Sequence, residues 1–135
     1  MSQENVDAFK RGTAAFNRRD IEAALAGLDP NVEWYPALLS SVAGEQTVIR
    51  GHAGVRDWLR DVDEAFGETQ AEFSDIRDLG DRLVAIGHLT GSGKTSGAPI
   101  ESPLCYVVDF KNGKQIRVRT YLDPKDALKA AWLRD

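Results

Sequence analysis

The chain is poor in the residues that build covalent or metal-held folds: one cysteine, Cys105, and two histidines, His52 and His88, in 135 residues. A single cysteine excludes an internal disulfide and any multi-cysteine metal site. Two histidines 36 positions apart make no dedicated zinc site, so no metal is expected. No apolar run reaches the ~18 residues of a membrane span, and no basic-then-apolar leader opens the sequence. Neither a membrane span nor a signal peptide is therefore expected, and a cytoplasmic location is the default. Basic excess is missing too. The formal net charge is −4 and the pI is near 5.2, which argues against a nucleic-acid partner. What is present is ordinary for a globular domain, 42% hydrophobic and 28% charged. The length allows one domain over 1–135 with a real core, without repeats, low-complexity tracts or linkers.

Helical spacing of Val6, Phe9, Thr13 and Phe16 predicts a first helix ending at Asn17-Arg18-Arg19. Asp20 reads as the N-cap of a second, Ile21 to Leu28, which Asp29-Pro30-Asn31 stops. Val32 to Pro36 is a short strand, and the small polar run from Ser40 to Thr47 a loop. A third helix runs from about Gly51 to Phe66, with Val55, Trp58, Leu59, Val62 and Phe66 on one face. The rest reads as antiparallel sheet. Strands are predicted over Ala71–Leu79 and Arg82–Gly91, followed by a mobile Gly/Ser-rich loop to Pro99. Asn112-Gly113 then joins strands Leu104–Lys111 and Lys114–Leu122, and a helix from Pro124 to about Leu133 closes the chain.

A two-residue turn fixes register, so residues whose numbers sum to 225 should pair across this hairpin. Cys105 then opposes Thr120, and Val107 opposes Val118, on a face expected to point inward. The other face collects Tyr106, Val108 and Phe110 with Gln115, Arg117, Arg119 and Tyr121. Helices followed by a run of strands imply an α+β fold, a curved sheet wrapped over three N-terminal helices with a conical cavity between them.

Several pieces resemble one family in order and spacing: Phe16-Asn17-Arg18-Arg19-Asp20, Val32-Glu33-Trp34, Arg50-Gly51-His52-Ala53-Gly54-Val55, Leu79-Gly80-Asp81-Arg82-Leu83-Val84, Gly113-Lys114-Gln115-Ile116 and Tyr121-Leu122-Asp123. Over essentially its whole length the chain resembles the SnoaL-like branch of the NTF2-like superfamily. That resemblance implies a cone-shaped α+β fold, a pocket at its wide end and commonly a dimer through the outer sheet face. It implies little about activity, since the fold hosts isomerases, cyclases, epoxide hydrolases, dehydratases and non-catalytic carriers. Ketosteroid isomerases of the superfamily place a tyrosine, a carboxylate base and an acid at positions matched here by Gly12, Tyr35 and Cys105, so their set is missing. Epoxide hydrolases of the limonene type carry an inward carboxylate where Arg119-Thr120-Tyr121-Leu122-Asp123 has Thr120, and their Arg-x-Asp partner has no counterpart near Ile86-Gly87-His88. SnoaL-type cyclases pair an aspartate with a histidine, roles open to Asp123 and His88.

Among the residues themselves, His88 alternates with Val84, Ile86 and Thr90 and is expected to face the cavity, where an imidazole can move a proton near neutral pH. Its bland reading is a histidine satisfied by a carbonyl or by solvent. Tyr35 offers a hydroxyl to orient a substrate carbonyl. Asp123, ahead of Pro124, reads more naturally as a helix cap. The expected pocket lining is Phe16, Trp34, Trp58, Val62, Ile86, Cys105, Val107, Val118 and Thr120. Arginines interleaved with aromatics, namely Tyr106, Phe110, Arg117, Arg119 and Tyr121, suit a homodimer face. Cys105 has no basic neighbour in view and reads as a small hydrophobe. Gly91-Ser92-Gly93-Lys94-Thr95 lacks the spacing and the following helix of a phosphate loop. Three functions stay open: a cofactor-free acid–base enzyme acting on a small apolar carbonyl-containing or cyclic substrate, a non-catalytic binder of small hydrophobic molecules, and a protein-interaction module.

Overall fold

The computed structural model describes residues 2–36 and 48–132. Two helices open the chain, α1 (Ser2–Asn17) and α2 (Ile21–Ala26), followed by strands β1 (Leu28–Tyr35) and β2 (Ile49–Arg50) and helix α3 (Gly51–Ala65). Strands β3 (Phe66–Asp78), β4 (Arg82–Gly93), β5 (Pro99–Lys111) and β6 (Lys114–Tyr121) lead to helix α4 (Pro124–Trp132). The expected 40–47 loop and Leu133 lie outside the described residues.

All six strands form one sheet in the order β2-β1-β6-β5-β4-β3. It is mixed, not purely antiparallel: β1 runs parallel to β6, with Glu33 beside Arg117 and Trp34 beside Val118. Such a long-range pairing leaves no local trace in sequence. β3 begins at Phe66, directly after α3 and ahead of its expected start, and the Gly/Ser-rich turn shrinks because β4 continues to Gly93.

Local chemistry explains the joints. Asp20 accepts the backbone N–H of Ala23 at 3.1 Å and so caps α2. The Asn17 side chain donates to the carbonyl of Ala71 and accepts its N–H, at 2.9 and 2.8 Å, satisfying backbone that edge strand β3 would otherwise leave open. Arg19 lies over the Phe16 ring and donates to the carbonyl and hydroxyl of Thr69. The Asn-x-Arg segment thus clamps α1 to β3. His52 donates from Nε2 to the carbonyl of Leu28 at 2.8 Å, a structural role.

The hairpin turn forms as its sequence predicts, with positive φ at both Asn112 and Gly113. Its register does not persist. Phe110 pairs with Gln115, but beyond a bulge Asp109 pairs with Arg117, Val108 with Val118, Val107 with Arg119, Tyr106 with Thr120 and Cys105 with Tyr121. Ile116 is the extra residue. One inserted residue reverses the partner face of everything beyond it. Gln115 is buried, and an added Cβ on Gly12 of α1 would lie 4.0 Å from its side-chain nitrogen. The bulge lets Gln115 and Val118, three positions apart, both point at the helices.

Two cores result. On the inner, helix-facing side, Val6, Phe9, Leu25, Val32, Val55 and Leu59 pack on Leu83, Ala85, Val108, Phe110 and Val118. On the outer side, Ala127 and Ala131 of α4 cover Val84, Cys105 and Val107, with Ile86 and Tyr121 at the margin. α4 is anchored by Arg82, which pairs with Asp109 at 2.5 Å and donates to the carbonyl of Ala131 at 3.2 Å. Curvature comes from β3, bulged between Gly67 and Gln70 and between Phe73 and Asp75, where it folds closely over Gly87 and Gly91 of β4.

Candidate functional site: the inner aromatic face

Because β5 is apolar on both faces, parity alone does not say which face turns inward. The larger set does. Tyr106, Val108 and Phe110 face the helices, while smaller Cys105 and Val107 fit beneath α4. Tyr106 stands at the centre of a ring cluster. Its ring centroid lies 5.7 Å from Trp34, 5.6 Å from Phe73 and 6.2 Å from Phe9. Trp34 in turn meets Trp58 of α3 at 5.9 Å, and Phe9 meets Phe73 at 5.1 Å. Trp34, Trp58, Phe73 and Tyr106 are only partly buried, which leaves aromatic surface for a further contact.

β1 and β5 flank β6, so their axes are separated by two strand spacings, about 9–10 Å. The 5.7 Å approach of Trp34 and Tyr106 therefore makes both rings lean over β6, where Val118 and Thr120 point inward. Burial pushes the Tyr106 hydroxyl far above the usual tyrosine range, because the phenolate has no compensating charge there. Tyr106 is thus held as a neutral phenol able to donate. Burial alone drives that shift.

The sequence-predicted residues divide between the two faces. Phe16, Trp34, Trp58 and Val118 belong to the inner cluster, Thr120 points to the same side, and Val62 is half-buried on α3. Ile86, Cys105 and Val107 are corrected to the outer core under α4, because alternation separates the two faces of β4 and β5 without saying which turns inward. Burial, the larger cause, pushes the Cys105 thiol above its ordinary range against a hydrogen bond from the Gly87 backbone, the opposite of nucleophile activation. Tyr106 and Phe110, expected on a dimer face, are inside. Arg117, Arg119 and Tyr121 are outside as expected.

The three catalytic candidates share no site. His88 follows Val84 and Ile86 on the outer face, pairs with Glu72 and Pro103, and is exposed. The alternation does put it on one face with Val84 and Ile86, but that is the face α4 packs on and not the one that meets the N-terminal helices. Tyr35 is also outside. It donates to Glu33 at 3.1 Å, and Glu33 accepts from Arg50 at 2.9 Å. The Tyr35 hydrogen bond, followed by Arg50, holds the Glu33 carboxyl below its usual range, and burial beside Glu33 raises the Tyr35 phenol. Asp123 is exposed and accepts the N–H of Lys125 at 2.9 Å at the start of α4, a capping role. Sequence reasoning missed Phe9, Phe73 and Tyr106. The available signal was the aromatics of α1, β3 and β5, Phe9 among them on the apolar face of its helix.

The outer face beside α4 is polar. Asp109, paired with Arg82, also lies 4.0 Å from Arg117 and 3.9 Å from Arg119, while Arg117 reaches Glu33 at 3.8 Å. Among the described residues there is no group of three or more His, Cys, Asp or Glu that could hold a metal ion, and no helix long and apolar enough to cross a membrane.

Comparison with known proteins agrees with this architecture. No curated protein matches the chain. An NTF2-like protein of unknown function from Burkholderia pseudomallei superimposes with a TM-score of 0.79 at 25% identity, over 98% of this chain and 100% of that one. TerC, co-crystallised with polyporic acid, gives 0.78 at 25% identity over 93% and 96%. A Xanthomonas campestris protein whose polyketide-cyclase assignment is itself unproven gives 0.76 at 22% identity over 93% and 94%, which bears on the fold alone. The SnoaL-like domain model matches residues 9–118, and with the curved α+β sheet described above it places the chain in the SnoaL-like family of NTF2-like proteins.

Proposed function

We propose that this protein binds a small, largely aromatic molecule against its concave face. The five-ring cluster of Phe9, Trp34, Trp58, Phe73 and Tyr106 carries the reading, because partly exposed aromatic walls with few polar groups suit such a ligand. TerC, similar in fold and 25% identical, was crystallised with polyporic acid, which supports a site of this kind. Binding without chemistry is favoured over acid–base turnover, since His88, Tyr35 and Asp123 lie apart from the ring cluster. Titration with 1-naphthol, following tryptophan emission in a Trp132→Phe background, tests it. Saturable quenching lost in Trp34→Ala is the expected result. Quenching that stays linear with concentration would refute it.

A homodimer through the outer face is a second reading. Glu33, Arg50 and Arg117 lie together beside the part of the sheet that α4 covers, a mixed-charge patch able to meet its own copy. Sedimentation velocity should show a dimer that Arg117→Glu weakens, and a monomer at all concentrations would dismiss it.

A further inference from the structure

We infer that Trp34 and Thr120 form the polar end of this site and select ligands that present a neutral carbonyl oxygen; the inference rests on the concave face being a ligand site. The indole Nε1 of Trp34 and the Oγ1 of Thr120 are both buried, and neither has a hydrogen-bond partner among the described residues. Folded chains pair the great majority of such groups, so two orphans on one face call for a reason. They are neighbours. Trp34 pairs with Val118, two residues before Thr120 on the same face of β6, and Thr120 pairs with Tyr106, whose ring Trp34 approaches at 5.7 Å.

The chemistry of the pair limits what can sit there. An indole N–H only donates, so its partner must accept. The threonine hydroxyl donates or accepts, and one carbonyl oxygen has two lone pairs with which to take both protons. A carboxylate also accepts, but a buried, unpaired charge is far costlier than a neutral dipole. A hydroxyl or amine offered as a donor would leave the indole unsatisfied. The ring cluster fixes the rest of the ligand as flat and apolar, and the donor pair fixes the position and polarity of its one strong acceptor.

Equilibrium dialysis of the full chain against three probes of one shape tests this: 1-acetonaphthone, 1-isopropenylnaphthalene, in which a methylene replaces the carbonyl oxygen, and 1-naphthoate. The wild type should hold the ketone about tenfold tighter than the alkene, equivalent to ~1.4 kcal/mol, and the carboxylate more weakly than the ketone. Thr120→Val and Trp34→Phe should each lower the ratio of ketone to alkene affinity, whereas Thr120→Ser retains the preference. A ketone-to-alkene ratio identical in the wild type and both deletion variants overturns the inference while leaving binding itself intact. Tighter capture of 1-naphthoate also overturns it. Uptake of none of the three would remove the ligand site and the inference together.

Discussion

Replacing Gly87 with alanine should damage this fold more than any ordinary surface change, because the clash is with main chain. A Cβ at Gly87 would lie 1.8 Å from the carbonyl oxygen of Glu72 and 2.7 Å from both the Glu72 carbonyl carbon and the Phe73 Cα. Contacts under 3.0 Å are essentially never formed, so relief requires 3.0 − 1.8 = 1.2 Å of backbone movement. No flexible side chain can yield in its place. Overpacking costs about 1–3 kcal/mol where side chains can shift. Here the bulge between Phe73 and Asp75 must open as well, forfeiting ladder hydrogen bonds worth ~1 kcal/mol apiece. The expected loss is about 3–5 kcal/mol, or roughly 10–15 °C in melting temperature for a chain of this size. Urea unfolding followed by far-ultraviolet circular dichroism measures it. Gly27→Ala is the control: no atom lies within 4 Å of its added Cβ and its φ is −84°, so that substitution should be neutral or stabilise by about 0.5 kcal/mol. If Gly87→Ala cost under ~1 kcal/mol at an unchanged denaturant slope, β3 would not fold closely over β4, and the concavity holding the ring cluster would lose its basis.

Asn17→Ala should destabilise by about 2 kcal/mol, since it removes both hydrogen bonds to Ala71, and hydrogen exchange at the Ala71 amide should accelerate even in the folded state. Unchanged exchange would show that the edge of β3 does not need the clamp. His88→Gln should change stability by no more than ~0.5 kcal/mol and leave ligand affinity as it was, because the side chain is exposed on the face opposite the rings; a measured loss of affinity would return His88 to the site. The depressed Glu33 carboxyl contributes stability that is present above the unfolded carboxylate value, near pH ~4.3, and is lost as pH falls through the lower folded value. Melting temperature recorded from neutral to acid pH should therefore fall less steeply for Glu33→Gln than for the wild type, and parallel curves would contradict the Tyr35–Glu33–Arg50 geometry.

The sequence by itself determined what is set over short distances. Asp20 announces the start of α2, Asn112-Gly113 places the last hairpin turn with both residues at positive φ, and the spacing of Val55, Trp58 and Leu59 marks the buried stripe of α3. These signals are local because the forces are local: a cap reaches the next turn of backbone, and a helix repeats every ~3.6 residues. The ordered fragments of the family were legible in the same way, and the fold followed from them.

Which face of each strand meets the helices was decided only in three dimensions. Alternation of period two sorts residues into two sets without labelling either as inside, and in β4 and β5 both sets are covered, one by the cone and one by α4. His88 and Cys105 went with the wrong cover for that reason. The hairpin register depended on Ile116, whose bulge is set by the need to bury Gln115 and Val118 on one side, a requirement imposed by α1, about a hundred residues away. The parallel seam of β1 and β6, which brings Trp34 over Thr120 toward Tyr106, joins segments about 80 residues apart. A stretch of chain can encode its own turns and caps, but the contents of a shared concave face depend on how distant strands align, and that alignment is fixed only when the whole sheet closes over its helices.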